Sequence, residues 1–211
     1  MARILVCTLG YSPGVVTKMV QHLQENGGVD EVCLVTTNNT KIMDIYNHIL
    51  RRELNDKLQL QDKHWSKTIP PEDLSEQSHF KEFRRELAAI LKERLQDNGE
   101  NIVHLCISGG RKTMTYAAAL AAEEVAACLG ETVTRERFHV WHIQLIDEQE
   151  PAVEDIEERL QRYRSRRDNE DDRRWLYPEN SQVLEIPYFH FAEAHRVRDD
   201  SIEYDYSKGI K

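Results

Sequence analysis

The chain has 211 residues, of which 40% are hydrophobic and 31% charged, and its formal net charge is −9. This length suits one well-buried domain of ~100 to 150 residues with an extension rather than two equal domains. The negative charge and a pI of about 5.5 disfavour a surface for long DNA or RNA, because such surfaces need clustered Lys and Arg. No apolar run approaches the ~18 residues of a membrane span and no leader follows Met1, so we expect a cytoplasmic protein without a membrane partner.

The first part of the chain has the pattern of a strand, a helix and a second strand. A continuous β-type run covers 3–9, glycine and proline break it at 10–14, and helical spacing follows over 15–26. The next β-type run covers 31–37. This order predicts two parallel strands joined by a right-handed crossover.

The middle of the chain is predicted to hold two helices separated by a polar loop. Asn-Asn-Thr at 38–40 is typical of a helix cap, and the helix is expected over 41–54. The polar segment 55–78 favours a loop with a short strand at 64–69. A charged amphipathic helix is predicted over 80–96.

The second half continues the alternation with a strand at 101–107, an alanine-rich helix ending near 129 and a strand at 137–145. Regular alternation of strands and helices predicts an α/β fold, a Rossmann-like three-layer sandwich with a mostly parallel sheet. We assign residues 1–146 to this domain.

The remaining residues, 147–211, are predicted to form a charged C-terminal extension that packs on or near the domain. Segment 154–174 is nearly all charge, which is typical of a solvated helix or a mobile loop, although a ligand-covering role stays open. A strand closed by proline at the edge of the sheet is expected over 182–189. The tail beyond it has no predicted fold.

Cysteine and histidine give little support for a metal site. His139 and His142 are three apart in a predicted strand and so face opposite sides, while His104 lies in an apolar strand and is expected to be a satisfied core residue. We predict no metal and no cofactor. The cysteines lie far apart without a Cys-x-x-Cys pair and are predicted to be reduced core residues: Cys7, Cys33, Cys106 and Cys128.

The string Ser108-Gly109-Gly110-Arg111-Lys112-Thr113 lies between the fourth strand and the alanine-rich helix. Its two glycines allow the backbone to approach a ligand, and the helix that follows offers unpaired N–H groups. Arg111 and Lys112 add positive charge at the same point. The string therefore predicts an anion-binding turn.

A second turn, at 10–14, follows the first strand, and ligands of open parallel sheets bind at the carboxyl ends of strands. Neither turn has the spacing of a P-loop or of the Gly-x-Gly-x-x-Gly dinucleotide motif. Binding of ATP or NAD in the usual way is therefore disfavoured.

These two turns resemble the paired signatures of CRISPR-associated CARF proteins, particularly the ring nuclease branch. The resemblance rests on Thr8–Val16 and Ser108–Met114, and the later Trp175–Pro178 and Leu184–Pro187 resemble the C-terminal pattern of that branch. It covers residues 2–145, and more loosely the chain as far as 189.

The resemblance implies a homodimer whose two-fold cleft binds a cyclic oligoadenylate, most commonly the tetra-adenylate, the second messenger of type III CRISPR systems. Ring nucleases linearise this ring without metal, because a ribose 2′-hydroxyl attacks its own phosphate and leaves a 2′,3′-cyclic phosphate. The protein then has to align the reacting atoms and stabilise charge on the phosphate.

On this interpretation Arg111 and Lys112 stabilise the phosphate, and Ser12 contacts the reacting ribose or phosphate. Three alternatives stay open: Ser12 as a helix cap, Lys112 as an ordinary solvated lysine and Tyr11 as a surface residue rather than an adenine contact. The remaining predicted ligand contacts are Gly10, Tyr11, Ser108, Gly109, Gly110 and Thr113.

A second function class is a sensor that binds the ring without cleaving it and regulates a partner. Larger CARF relatives carry a HEPN ribonuclease domain with an Arg-x(4 to 6)-His motif. Here Arg135 and His139 are separated by three residues only and surround a predicted strand, so no HEPN motif is assigned. An unrelated nucleotide-binding α/β protein is the third alternative.

Overall fold

The computed structural model describes residues 1–70, 72–96, 100–129, 136–146 and 153–186. Six strands form one sheet in the order β3-β2-β1-β4-β5-β6. All neighbouring pairs are parallel except β5 and β6, which are antiparallel. The strands are β1 Arg3–Thr8, β2 Glu31–Thr37, β3 His64–Ile69, β4 Ile102–Cys106, β5 Phe138–Leu145 and β6 Ser181–Glu185.

Helices cover both faces of this sheet. A π-helical turn, Tyr46–Leu50, joins two short helices into one continuous helical stretch. Among the described residues the α-helices are α1 Gly14–Glu25, α2 Thr40–Ile45, α3 Arg51–Asp56, α4 Gln77–Gln96, α5 Lys112–Leu129, α6 Val153–Arg164 and α7 Glu170–Leu176.

Two hydrophobic cores lie on opposite sides of the sheet because successive strand residues face opposite ways. Ile4 and Val6 of β1 pack with α4 and α5 in the first core. Leu5 and Cys7 of the same strand pack with α1, α2, α6 and α7 in the second core. Burial of β1 on both faces explains its uninterrupted apolar sequence, as expected for a central parallel strand.

The predicted three-layer α/β fold is confirmed, and the differences are at the ends of elements. The long helix predicted over 41–54 is a helical stretch over 40–56 that contains the π turn, and Asn39 caps it by accepting the N–H groups of Lys41 and Ile42. The helix predicted over 80–96 begins earlier, at Gln77.

The charged segment 154–174 forms most of two helices, α6 and α7, joined by a non-helical link over 165–169, but the expectation of a solvated or mobile segment is wrong for its apolar residues. Ile156, Leu160 and Tyr163 of α6 are buried, as are Trp175 and Leu176 at the end of α7. These side chains belong to the second core together with α1 and α2. Most of the charge therefore lies on the outer face of this helical pair, and Asp172 is a buried exception.

The predictions about buried cysteine and histidine have different outcomes. Cys7, Cys33 and Cys106 are buried free thiols as expected, whereas Cys128 is exposed, so the core prediction is wrong there. His104 is a satisfied core residue, because its Nδ1 accepts a hydrogen bond of 3.1 Å from Trp141 Nε1.

Some predictions fall outside the described residues: Arg135, the end of the 182–189 strand and the tail to 211. The edge strand itself is present as β6 and pairs with β5. No helix in the described part of the chain is long and apolar enough to span a membrane.

Candidate ligand site at the carboxyl edge of the sheet

The order of strands reverses between β1 and β4, which lie side by side at the centre of the sheet. The chain moves outward from β1 through β2 to β3, and returns to the other side of β1 to form β4. The carboxyl ends of β1 and β4 therefore form the switch point at which open α/β sheets bind ligands. Both predicted turns leave the sheet at this point.

The two turns are in direct backbone contact. A Cβ atom on Gly10 would lie 2.3 Å from the Gly110 Cα atom, and a Cβ atom on Gly109 would lie 1.6 Å from the carbonyl oxygen of Thr8. Gly110 itself has a φ of 101°, which L side chains rarely adopt. Glycine is therefore required sterically where the turns meet, and the two motifs build one structure.

Helix α5 starts at the edge of this structure. The Arg111 carbonyl accepts the N–H groups of Met114 and Thr115 at 2.8 and 3.1 Å, which closes the first turn. Arg111, Lys112 and Thr113 are exposed. The positive end of the helix dipole, its N-terminal N–H groups and two cationic side chains thus meet at one place, which favours an anion.

A cleft opens between the two turns, the end of β2 and the segment that follows β3. Four of its lining residues are among the predicted contacts, whereas Ser12, Lys112, Ser108, Gly109 and Thr113 do not line it. The lining residues are Gly10, Tyr11, Thr37, Asn39, Ile42, Glu72, Asp73, Gly110, Arg111 and Met114.

Ser108 is turned toward β5 rather than toward the cleft. Its hydroxyl oxygen accepts the N–H of Ile143 and lies 3.0 Å from His142 Nδ1. These bonds fasten the second turn to the neighbouring strand. A ligand contact by Ser108 stays a prediction.

Ser12 is buried, with 7% of its surface exposed. The cap position of α1 is occupied by Pro13, one residue further on, while the Ser12 carbonyl accepts the N–H of Val15 at 3.3 Å.

Tyr11 is half-buried and packs against the second core, and its carbonyl oxygen accepts a hydrogen bond of 3.2 Å from Trp175 Nε1.

The end of α7 packs against the start of α1, next to the first turn. A Cβ atom on Gly14 would lie 2.6 Å from the carbonyl oxygen of Trp175 and 2.8 Å from the ring of Pro178. Thr17 of α1 also donates a hydrogen bond to the carbonyl of Leu176. The late Trp175–Pro178 segment is therefore part of the framework that positions the first turn.

Glu72 and Asp73, two acidic residues that the sequence reasoning did not single out, line the cleft. The Asp73 carboxylate forms an ion pair with Arg111 NH1. Nothing in the polar segment 55–78 indicated this contact, because it arises only when the chain returns past β3. Thr37 and Asn39 could have been found, since they lie at and just after the end of a strand that finishes at the same edge.

Two buried cysteines lie on the central strands that lead into the two turns. Cys7 of β1 and Cys106 of β4 are register partners and fully buried. A hydrogen bond with Cys106, together with burial, raises the pKa of Cys7. Within the described residues, no three His, Cys, Asp or Glu side chains are grouped so that they could hold a metal ion.

This α/β fold, a mostly parallel six-stranded sheet with a cleft at its switch point, is similar to that of CARF domains. Among solved structures it is similar to Enterococcus italicus Csm6 bound to cyclic hexa-2′-fluoro-hexa-dAMP, with a TM-score of 0.61 and 14% sequence identity. The similarity covers 92% of this chain and 44% of the Csm6 chain, so this chain corresponds to less than half of that protein. At this identity the likeness is one of fold.

The family model described as CRISPR-associated protein NE0113 matches residues 12–203, and the chain belongs to that family. The matched range begins inside the first turn and includes the second turn, α6 and α7. A search of curated proteins finds no match.

Proposed function

We propose that this chain binds a cyclic oligoadenylate at the cleft and linearises it as a ring nuclease, which would switch off type III CRISPR signalling. The observation that carries the proposal is the contact between the two glycine turns at the switch point, with Arg111 and Lys112 at the adjoining helix start. An RNA ring supplies the repeated phosphates that such a helix start binds. The solved Csm6 of similar fold was bound to a cyclic adenylate analogue, which supports the same ligand class.

The proposed reaction needs no nucleophile from the protein. A ribose 2′-oxygen forms a bond to the adjacent phosphorus, the bond from phosphorus to the 5′-oxygen breaks, and the proton of the 2′-hydroxyl is balanced by the proton that the 5′-oxygen gains. The product is a linear oligoadenylate with a 2′,3′-cyclic phosphate end. Catalysis then consists of alignment and of stabilising charge on the phosphate.

Arg111 and Lys112 are the proposed groups for that charge, and Ser12 the proposed hydroxyl contact. The two cationic residues are exposed next to the N-terminal N–H groups of α5, which supports their role. Gly109 and Gly110 are proposed to let the backbone approach a phosphate oxygen, and of the two Gly110 lines the cleft. The ring is proposed to lie across a homodimer, so that each chain donates the same residues.

A binding-only sensor is the second candidate, and the position of the proposed catalytic residues favours it. Ser12 is buried, and neither Ser12 nor Lys112 lines the cleft of the single chain. A site that holds the ring without aligning the 2′-oxygen would bind and not cleave. Such a protein would regulate a partner through ring occupancy.

The experiment that separates these candidates is incubation of the purified chain with radiolabelled cyclic tetra-adenylate, and in parallel the hexa-adenylate, in EDTA. A linear product with a 2′,3′-cyclic phosphate end, lost in Lys112→Ala and Ser12→Ala, supports the nuclease. Lys63→Ala is the matched control. Lys63 is an exposed lysine that directly precedes β3, so it lies at the amino ends of the parallel strands, away from the cleft at their carboxyl ends. Binding without product over hours supports the sensor, and no binding of either ring contradicts both candidates.

A further inference from the structure

Arg111, one of the two cationic residues that the proposed site offers to a phosphate, is already paired with a carboxylate. Arg111 NH1 contacts the Asp73 carboxylate, and both residues line the cleft. The Arg111 side chain is 52% exposed and that of Asp73 is 42% exposed, so an incoming ligand can reach the pair. An acidic side chain thus occupies the position at the guanidinium that a phosphate oxygen would take.

The Asp73 carboxylate is held in place by its own backbone. Its Oδ1 accepts the N–H of Leu74 at 2.8 Å, while Oδ2 faces Arg111. Leu74 is 4% exposed and belongs to the first core. Its burial holds the neighbouring Asp73 in position. The ion pair therefore joins two well-positioned parts of the fold, the segment after β3 and the start of α5.

We infer that Asp73 competes with the ligand's phosphate for Arg111 and so sets how highly charged an anion must be to occupy the cleft. This inference rests on the proposed function and adds a specificity-determining residue to it. A weakly charged anion gains too little at Arg111 to displace a tethered carboxylate. A ring with several phosphates makes further contacts at the helix start, and these offset the loss of the ion pair.

Glu72 provides the control for simple charge repulsion. It lies in the same cleft one residue earlier, and within the described residues it makes no ion pair with Arg111. Removing either carboxylate lowers the negative charge near the ligand by one. Only removal of Asp73 also releases the guanidinium.

The test measures binding of cyclic tetra-adenylate and of tripolyphosphate to the parent chain, Asp73→Asn and Glu72→Gln, by calorimetry at fixed salt. We expect Asp73→Asn to bind both anions about 1.5- to 5-fold more tightly, as release of an exposed ion pair allows, and Glu72→Gln to show a smaller gain. Each substitution is repeated in an Arg111→Ala background. There the excess gain of Asp73→Asn over Glu72→Gln disappears, because no guanidinium remains to be released.

Equal gains in the two variants, a loss of affinity in Asp73→Asn, or an excess gain that persists without Arg111 would each overturn the inference. If the ring does not bind but tripolyphosphate does, the proposed function fails while the tripolyphosphate comparison still decides the role of Asp73. If neither anion binds the parent chain or its Asp73→Asn variant, both ideas fail together.

Discussion

Gly109 has no room for a side chain, which makes it the sharpest residue-level test of how the two turns are joined. A Cβ atom there would lie 1.6 Å from the Thr8 carbonyl oxygen, which belongs to the central strand β1 and cannot move aside cheaply. We expect Gly109→Ala to lower the free energy of unfolding by about 3 kcal/mol, measured by urea denaturation.

Gly28→Ala is the control for Gly109→Ala, because it separates backbone strain from steric overlap. Gly28 has a φ of 99°, but a Cβ atom added there would meet nothing within 4 Å beyond its two chain neighbours. The expected cost is about 1 kcal/mol, from the left-handed backbone alone. A Gly109→Ala chain as stable as Gly28→Ala would show that the turns are not tightly joined.

His104 is expected to make the fold sensitive to acid. Burial, followed by the nearby His139, lowers the pKa of His104 to about 3. Above pH ~6.5 the side chain is neutral in both states and contributes no pH dependence. As the pH falls from there toward 3, the unfolded chain takes up a proton that the folded chain does not, so stability falls by at most about 1.4 kcal/mol per pH unit.

His104→Gln removes this titration while keeping an acceptor for Trp141 Nε1. We expect its free energy of unfolding to fall less steeply than that of the parent chain between about pH 6 and 4.5, as measured by denaturant titrations at each pH. Other titrating groups are common to both chains and cancel in the comparison. Identical pH slopes would contradict the assignment.

At the same scale, the glycine turns could be predicted from the sequence and the partner of Arg111 could not. Paired glycines before two basic residues indicate a turn and a helix start from local chemistry alone. The contact with Asp73 joins residues 38 positions apart on separate elements, and an acidic residue in a polar loop carries no local signal of its partner. The orientation of Ser108 toward β5 is likewise a tertiary contact.

The α6–α7 pair is held by one buried carboxylate, which is the main feature at the scale of elements. Asp172 is 0% exposed and accepts two hydrogen bonds of 2.7 Å from Arg162. It also forms a capping box with Asn169 at the start of α7. Burial opposes its charge, but the bonds from Arg162 and from the Asn169 N–H hold the pKa of Asp172 below its usual range.

Asp172→Asn removes the buried carboxylate that pairs with Arg162, and the guanidinium keeps only its ion pair with Glu158. We expect a loss of about 2 kcal/mol in the free energy of unfolding, because the two charge-assisted hydrogen bonds from Arg162 to a buried carboxylate are weakened. Asp171→Asn is the matched control, because Asp171 is exposed in the same helical turn, and its expected loss is under about 0.5 kcal/mol. Equal effects of the two substitutions in denaturant titrations would contradict this role.

Amino-acid composition alone could not distinguish the packed helices α6 and α7 from a fully solvated charged segment. Ile156, Leu160 and Tyr163 recur at helical spacing, but charged residues surround them in the sequence. Their burial depends on a surface offered by α1, α2 and the π turn, which is a property of the assembled fold. The strands were easier to predict, because β1 and β2 are buried on both faces and read as apolar runs.

At the scale of the whole molecule, the position of the switch point follows from the order of the strands in the sheet. Alternation of strands and helices predicted a parallel sheet, but not that β4 would return to the side of β1 opposite β2. That return is what brings the two turns together. It also leaves the cationic helix start exposed at one edge, where a second chain can add an identical set of groups.

We therefore expect one ring to bind per two chains. A cyclic tetra-adenylate repeats its phosphates with rotational symmetry, and a two-fold axis through its centre presents equivalent phosphates to equivalent residues of both chains. Calorimetry should give a ratio of about 0.5 ring per chain, and the complex should have the mass of a dimer in light scattering. Tripolyphosphate, which is not a ring, is the control and should bind each chain's helix start separately. A monomeric complex with one ring per chain would contradict the shared cleft, and the chain would then have to hold the whole ring with a single set of Arg111 and Lys112.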